Sequence, residues 1–464
     1  MSNRNALSLN ESYPQHVVTA VIVAHDGVSW LPQVADAVLE QTRPVQRVVA
    51  VDTGSRDRSG AVLAAKFGQS AVFGMDRGTG YGAAVARALT HRAANLPVPS
   101  ASGIAPADRV EWIWLLHDDC EPAPDALEQL LRGSAESANA AVLGPKVRDW
   151  VSRDIVLEAG VTLDSAARRV TGIEPREVDQ GQHDGDRDAV AVSSAGMLIR
   201  RDVWDQVGGF DTGMTLFMDD IDFCWRVHSA GYRVRVITDA VVYHARAATK
   251  HRRPISVGRR AQMLDRRNGL IALLGNLPFG RMLASTAGNL MISLLRVIFF
   301  LLAKRLMAAL DESAAVAAVL AHPLRMFTMR RRRAPGRRAA YSRLRGDLPS
   351  GHSPRRLVEF ASSLLLKSGQ VDTAGSHHAS IDPDEDDSLL VDNGLARRIL
   401  TSPTVLTFVL LLVIALVASR SLLGAGPLGG GSLVPTWGGA SDLWRAYLQA
   451  FHPTGIGSTA AADR

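Results

Sequence analysis

The sequence predicts an α/β domain with a mostly parallel sheet over residues 17–250, followed by a helical, membrane-associated C-terminal region. Three observations carry that expectation. Residues 18–24 (VTAVIVA) and 47–52 (RVVAVD) are apolar runs rich in β-branched residues, with the helix-like LPQVADAVLEQT between them, which is a βαβ rhythm. Runs without polar alternation suit strands buried on both faces, as in a parallel sheet covered by helices. Residues 401–419 (TSPTVLTFVLLLVIALVAS) then form 19 residues without a charge, long enough to cross a bilayer core of about 30 Å.

Bulk properties narrow the class. At 464 residues the chain should hold two or three units. Apolar residues at 47% against 21% charged exclude a disordered protein and point to extra hydrophobic segments. The net charge of +6 is too small to imply a general polyanion-binding surface, so no nucleic-acid partner is expected. Two cysteines, Cys120 and Cys224, argue against a disulfide framework and for a reducing compartment. The N-terminal tail, residues 1–16, lacks the apolar core of a secretory signal, which places the first domain in the cytoplasm.

Further elements follow in order. Ala71–Phe73 is a third strand, leading through a glycine-rich turn into the helical GAAVARALTHRAA, and Trp112–Leu116 is a fourth. Residues 179–188 (DQGQHDGDRD) read as a loop. The helix-like IDFCWRVHSAG ends at Gly231, and Tyr232–Tyr243 forms the last strand of a domain closing near residue 250. Residues 251–325 are expected to be helical and membrane-associated. Within them Met282–Ala303 is apolar but carries Arg296 near its middle, where lipid costs an arginine about 2.5 kcal/mol or more. It is equally an interfacial helix, a partner of the helix-like 306–321, or a span.

Nine arginines between Arg325 and Arg345, with Arg397 and Arg398 before the charge-free segment, favour the cytoplasmic side, where the run is either a solvated charged face or a contact with anionic lipid. Residues 326–398 therefore read as a cytosolic linker with an acidic run at 382–387, residues 401–419 as a transmembrane helix, and residues 420–464 as a glycine-rich extracytoplasmic segment, either a short polar tail or the first such segment of a longer polytopic protein.

The chemistry is expected at strand ends. In open α/β sheets ligands bind outside the carboxyl ends of strands, where Trp114–Pro122 (WLLHDDCEP) places His117, Asp118 and Asp119. Two oxygen ligands there can hold a hard divalent cation against a diphosphate, although helix capping accounts for the same residues. Phe217–Arg226 (FMDDIDFCWR) sets three carboxylates in four positions at a helix start. Capping needs one acid, and acids this close raise one another's pKa, as suits a general base. Asp52 closes RVVAVD, where it either meets a base or ribose or forms an Asx turn. The glycines of DRGTGYGAAVARAL resemble a phosphate loop, but Gly78, Gly80 and Gly82 lack the dinucleotide spacing, which counts against a dehydrogenase. His244 ends a strand as a nitrogen ligand or a structural histidine.

The ordered set of strand 1, VDTGSRDRS, GYGAAVARAL, LLHDDCEP, SAGMLIRRDVW with GGFD, MDDIDFCWR and Tyr243-His244 resembles family 2 glycosyltransferases with the GT-A nucleotide-sugar fold. The C-terminal part is similar, more loosely, to actinobacterial envelope-glycan enzymes. By that resemblance Asp52 and Asp57 are the acids of the nucleotide loop, and Asp119 is the second aspartate of the metal motif. His117 stands at the motif's first position, so His117, Asp118 or neither completes the coordination of Mg²⁺ or Mn²⁺. His244 matches a further metal ligand. Asp220 matches the catalytic base with Asp219 beside it, and Arg226 matches the basic residue of the same helix. Gly82 and Asp118 are expected against the nucleotide sugar, and Ala86 stands where relatives often carry asparagine. The implied activity is metal-dependent, inverting sugar transfer from a nucleotide-sugar donor to a polyprenyl-linked or polysaccharide acceptor at the cytoplasmic membrane face, with membrane lipid as a partner. The rivals are a sugar-phosphate nucleotidyltransferase, which wants a basic glycine-rich loop where this chain has AHDGVSW, and a noncatalytic nucleotide-sugar-binding scaffold, which has no need of carboxylates at 219–222.

Overall fold

A computed structural model describes residues 15–98, 108–137, 139–247, 261–349 and Trp444. The charge-free 401–419 segment, the acidic 382–387 run and, Trp444 apart, the glycine-rich 420–464 stretch lie outside the described residues.

The βαβ rhythm is realised as β1 (His16–Ala24), α1 (Leu31–Leu39), β2 (Arg47–Asp52), α2 (Ser59–Phe67), β3 (Val72–Gly74) and α3 (Tyr81–Thr90). Every residue of β1 is buried, as its uninterrupted apolar run requires. Helix α1 starts with proline in its first turn and turns Leu31, Val34, Ala35 and Val38 inward, the spacing of one helical face. Next come β4 (Val110–His117), β5 (Cys120–Pro122), α4 (Ala126–Ala135), β6 (Ala140–Asp149), β7 (Val156–Glu158), and the small hairpin β8 (Thr162–Leu163) and β9 (Arg169–Val170). Then follow β10 (Arg187–Asp188), β11 (Leu198–Arg200), α5 (Arg201–Val207), α6 (Asp219–Ser229) and β12 (Arg233–His244). The loop expected at 179–188 thus ends in a two-residue edge strand.

The main sheet runs β10-β12-β6-β11-β4-β1-β2-β3, with β5 on β12 and β7 on β6. Pairings β1–β2, β1–β4, β2–β3 and β6–β12 are parallel, whereas β11 runs antiparallel between β4 and β6. The chain leaves β1 towards β2 on one side and has β4 on the other. That reversal opens a crevice at the carboxyl ends of β1 and β4, where Val23 stands opposite His117. The antiparallel β5–β12 register pairs Cys120 with His244 and so delivers His244 beside Asp119. Cys120 and Cys224 are both buried and free.

Five helices complete the described chain: α7 (Ala261–Asn276), α8 (Phe279–Leu302), α9 (Leu306–Leu320), α10 (Pro323–Arg332) and α11 (Arg337–Leu344). Leu270, Leu273 and Leu274 of α7 join the same core as Ile221 and Phe223 of α6. Asp222 of α6 is wholly buried and accepts from Arg226 Nε and Asn276 Nδ2, each at 2.9 Å, and from Arg333. Burial pushes its carboxyl up, but Arg333 and Arg226 outweigh that and hold it below the ordinary value. Several arginines of the basic run are therefore tied inward: Arg330 donates to the last carbonyls of α7, and Arg343 donates to His228 O at 2.6 Å. Their sequence neighbours Arg331, Arg332 and Arg338 remain exposed.

Removing one partner of a buried ion pair strands the other charge, which costs about 3–5 kcal/mol. Asp222→Ala is expected to lower chemical and thermal unfolding midpoints by an amount of that order, measured by circular dichroism. A variant as stable as the parent would show that Arg333 and Arg226 find other partners.

Candidate active site

A cavity of about 780 Å³ opens at the crevice between β1 and β4 and extends to α6, α7 and α9. One wall carries nitrogen and oxygen donors. His117, Asp119 and His244 each offer a ligand atom, all within 4.8 Å of one another. Atoms sharing one divalent ion at about 2.0–2.2 Å stand up to about 4.4 Å apart, so small side-chain movements suffice to bring this set onto one ion. Asp119 is held on both oxygens. Its Oδ2 accepts from Ala247 N at 2.8 Å, while Oδ1 lies 3.2 Å from His244 Nε2. His117 Nε2 lies 3.0 Å from Ser194 Oγ, and its ring meets those of Tyr81 and His244 edge-on. The imidazole of His117, which stands at the motif's first position in the sequence, thus lies within this donor set. Asp118 also faces the cavity, accepting from His25 N at 2.7 Å.

The opposite wall is the first turn of α6. Asp219 and Asp220 both line the cavity, whereas Asp222 points away into the helical region. Asp220 Oδ2 accepts from Arg169 Nη1 at 2.7 Å, and Arg169 also donates to Glu158 at 3.0 Å. Burial works against charge on Arg169, yet these two carboxylates hold its pKa above the ordinary value. Burial, and then the charge of Asp220, push the Asp219 carboxyl up to about 7. Phe217 and Met218, just before the helix, both sit at positive φ (65° and 64°), a strained conformation for large residues. Asn268 of α7 pins this turn by donating to Leu216 O at 2.6 Å and Phe217 O at 3.3 Å.

Several lining groups have polar atoms with no hydrogen-bond partner in the protein: Tyr81 Oη, Thr215 Oγ1 and Asp219 Oδ2. A buried polar atom left unsatisfied costs about 1–3 kcal/mol, so their convergence on one cavity marks a place for a polar ligand.

Other expected residues lie elsewhere. Asp52 Oδ1 accepts from Ser55 N, three residues on, at 3.0 Å, and Asp52 does not line the cavity. Asp57 accepts from Ser59 N, the first residue of α2, at 2.9 Å and from Val28 N at 3.0 Å. Gly82 serves packing: a Cβ there would stand 2.8 Å from Phe210 Cβ, and its neighbour Tyr81 is the one that faces the cavity. Arg226 is occupied by Asp222 and by Val207 O at 3.1 Å, also off the cavity. Ala86 lies on α3 without lining the cavity.

Sequence reasoning missed His25, Asp26, Tyr81 and Arg169. His25 had a signal, since it follows an apolar strand as His117 does. Asp26 is held down to about 2 by the hydrogen bond from Arg77, with Arg56 N adding another. Arg169 had none, because its partners lie 11 and 51 residues away. The turn after β1 also speaks on the nucleotidyltransferase reading. The backbone N–H groups of His25, Asp26, Gly27 and Val28 donate to Asp118, Ser55, Ser59 and Asp57, and so cannot cradle phosphates.

Residues 14–262 match the family described as "Glycosyltransferase like family 2". The chain is 26% identical over 241 residues to an N-acetylglucosaminyl-diphospho-decaprenol L-rhamnosyltransferase of Mycobacterium tuberculosis, covering 48% of this chain and 73% of that one. It is 23% identical over 236 residues to an O-antigen chain rhamnosyltransferase of Salmonella typhimurium, covering 49% and 66%. Among solved structures, GalNAc-T7 with UDP, GalNAc and Mn²⁺ is 16% identical with a TM-score of 0.38, covering 49% of this chain and 43% of that one. S. aureus TarS 1–349 with UDP is 14% identical with a TM-score of 0.38, covering 71% and 92%. The chain thus spans less than half the length of GalNAc-T7. With more than half of its residues matched by that family and a GT-A-like α/β domain built around the crevice, the chain belongs to glycosyltransferase-like family 2.

Proposed function

We propose that this transferase moves a sugar from a nucleotide-sugar donor to a lipid-linked or polysaccharide acceptor, with inversion, at the cytoplasmic face of a membrane. The observation that supports it most is the meeting, in one cavity, of an acidic pair at a helix start with a histidine–aspartate–histidine donor set. A noncatalytic scaffold needs neither. The names of the two rhamnosyltransferase relatives make rhamnose the first donor sugar to test and a polyprenyl-diphosphate-linked glycan the first acceptor.

In this reading Asp220 takes the acceptor hydroxyl proton, its orientation fixed by Arg169. Asp219 carries the pair's proton up to about pH 7 and can donate a hydrogen bond to the acceptor. His117, Asp119 and His244 would hold the divalent cation, with two imidazoles favouring Mn²⁺ over Mg²⁺. The ion's contribution when bound is to offset charge on the departing diphosphate. Tyr81 and Thr215 offer their unpartnered hydroxyls to the donor sugar or its phosphates. Asp118 in the cavity lining, and Asp52 next to Thr53 of that lining, serve the nucleotide side, whereas Asp57, Gly82 and Arg226 shape the site through hydrogen bonding, packing and ion pairing.

Asp220→Asn is expected to lower turnover by about 10² or more with little change in donor affinity, because proton removal matters only in the transition state. Near-normal turnover would remove Asp220 from its role.

Chelator is expected to abolish activity, and added Mn²⁺ to restore it. Donor binding followed by calorimetry should lose its metal dependence in His117→Ala as in Asp119→Ala. Metal-dependent binding in His117→Ala equal to the parent's would leave His117 as a partner of Ser194 only.

The raised Asp219 carboxyl also predicts a pH signature in stability. Its folded pKa of about 7 stands above the ordinary value of 3.8, so the folded state keeps a proton that the unfolded state gives up, and stability is lost as pH rises between them. Asp219→Asn lacks this loss. The melting temperature of the variant relative to the parent should rise from about pH 4 to about pH 7 and then level off; a flat difference would mean that Asp219 titrates normally.

A further inference from the structure

Helix α8 is the one described helix long and apolar enough to cross a membrane, and its 24 residues would reach about 36 Å. Its two faces differ. Asn289, Ile292, Ser293 and Phe300 are buried, and Arg296 lies on the same side. Met291, Leu294, Ile298 and Leu301 repeat along the other side and are 45–58% exposed.

The buried side is bolted to the catalytic domain at the helix midpoint. Asn289 Nδ2 donates to Ser165 O at 2.9 Å, in the hairpin between β8 and β9. Arg266 of α7 donates to Ala166 O at 2.6 Å and reaches Asn289 Oδ1 at 3.2 Å and Ser293 Oγ at 2.9 Å. Glu312 of α9 accepts from Arg266 Nε at 2.9 Å and from Ser293 Oγ at 2.6 Å, with Arg296 Nη1 at 3.3 Å. A span places its midpoint at the bilayer centre. Here that would drag the β8–β9 hairpin, with Arg169 and its ion pairs to Asp220 and Glu158, into hydrocarbon.

We infer that α8 does not cross the membrane but lies in its plane, with Met291, Leu294, Ile298 and Leu301 sunk into the headgroup–acyl boundary and α9 beside it. The occupant is an anionic lipid surface rather than another protein, because the exposed apolar side is bordered by exposed cations: Arg281 near the helix start and Lys304 and Arg305 just past its end. Leu310 of α9 is 56% exposed, and the next residue, Asp311, lines the same cavity as Asp220.

The test uses the full chain with single introduced cysteines, since Cys120 and Cys224 are buried. In intact and permeabilised cells an impermeant reagent is expected to label Arg281→Cys and Arg305→Cys from the same side as Glu136→Cys on exposed α4 surface; opposite sides for 281 and 305 would overturn the inference. In nanodiscs containing anionic lipid, spin labels at Met291→Cys, Leu294→Cys and Ile298→Cys should collide several-fold more with oxygen than with a soluble nickel chelate, at a common depth of about 5–10 Å. Preferential collision with nickel would mean a solvent-facing side, and low collision with both would mean that protein covers it. Either overturns the inference, as does a depth running through the bilayer centre. None of these readouts involves sugar transfer, so their failure leaves the catalytic proposal standing.

Discussion

The charge on Asp222 is the constraint around which the second half of the molecule is organised. A carboxylate with no exposure cannot stay ionised without partners, and its partners come from three places: Arg226 one turn along α6, Asn276 at the end of α7, and Arg333 just after α10. Satisfying it draws the C-terminal helices onto the back of α6. The front of the same turn then presents Asp219 and Asp220 to the cavity. One short acidic segment is thereby divided into a structural half and a chemical half, and the packing of the first sets the position of the second.

The helices after residue 261 accordingly help to build the site. Asn268 holds the strained Phe217–Met218 turn, and Asp265 and Asp311 form part of the cavity wall. The polar cluster of Arg266, Asn289, Ser293 and Glu312 then ties α7, α8 and α9 to the hairpin that carries Arg169. A displacement of these helices would be felt at Asp220 through Arg169. If α8 lies on a membrane as proposed, the elements that face the lipid are also the ones that brace the acidic pair.

The two walls of the cavity do different electrostatic work. At the α6 wall burial, and then the charge of Asp220, raise the Asp219 pKa and keep a proton at the site near neutrality. The β4 and β12 wall offers imidazoles and a single oriented carboxylate, a donor set that gains from a cation. Tyr81 and Thr215 stand between them with unpartnered hydroxyls. The polar atoms are left unsatisfied where a ligand would complete them, while the nearby turn after β1 has its amides bonded internally.

The sequence by itself determined the βαβ order, the strands around VTAVIVA, RVVAVD and WIWLL, the helix beginning at Asp219 and the final strand ending at His244, because apolar periodicity and strand-end polarity are local properties of the chain. It also singled out His117, Asp119, His244, Asp219 and Asp220, whose motifs are short and contiguous. Only the tertiary structure decided that Asp222 and Arg226 turn away from the cavity, that Gly82 packs while Tyr81 faces the ligand space, and that Arg169 holds Asp220. It also tied part of the arginine run inward and set the polar face of α8 against the catalytic domain. Those outcomes depend on ion pairs and hydrogen bonds between segments 50 to 125 residues apart, and no local pattern of residue types records which distant partner a buried charge will find.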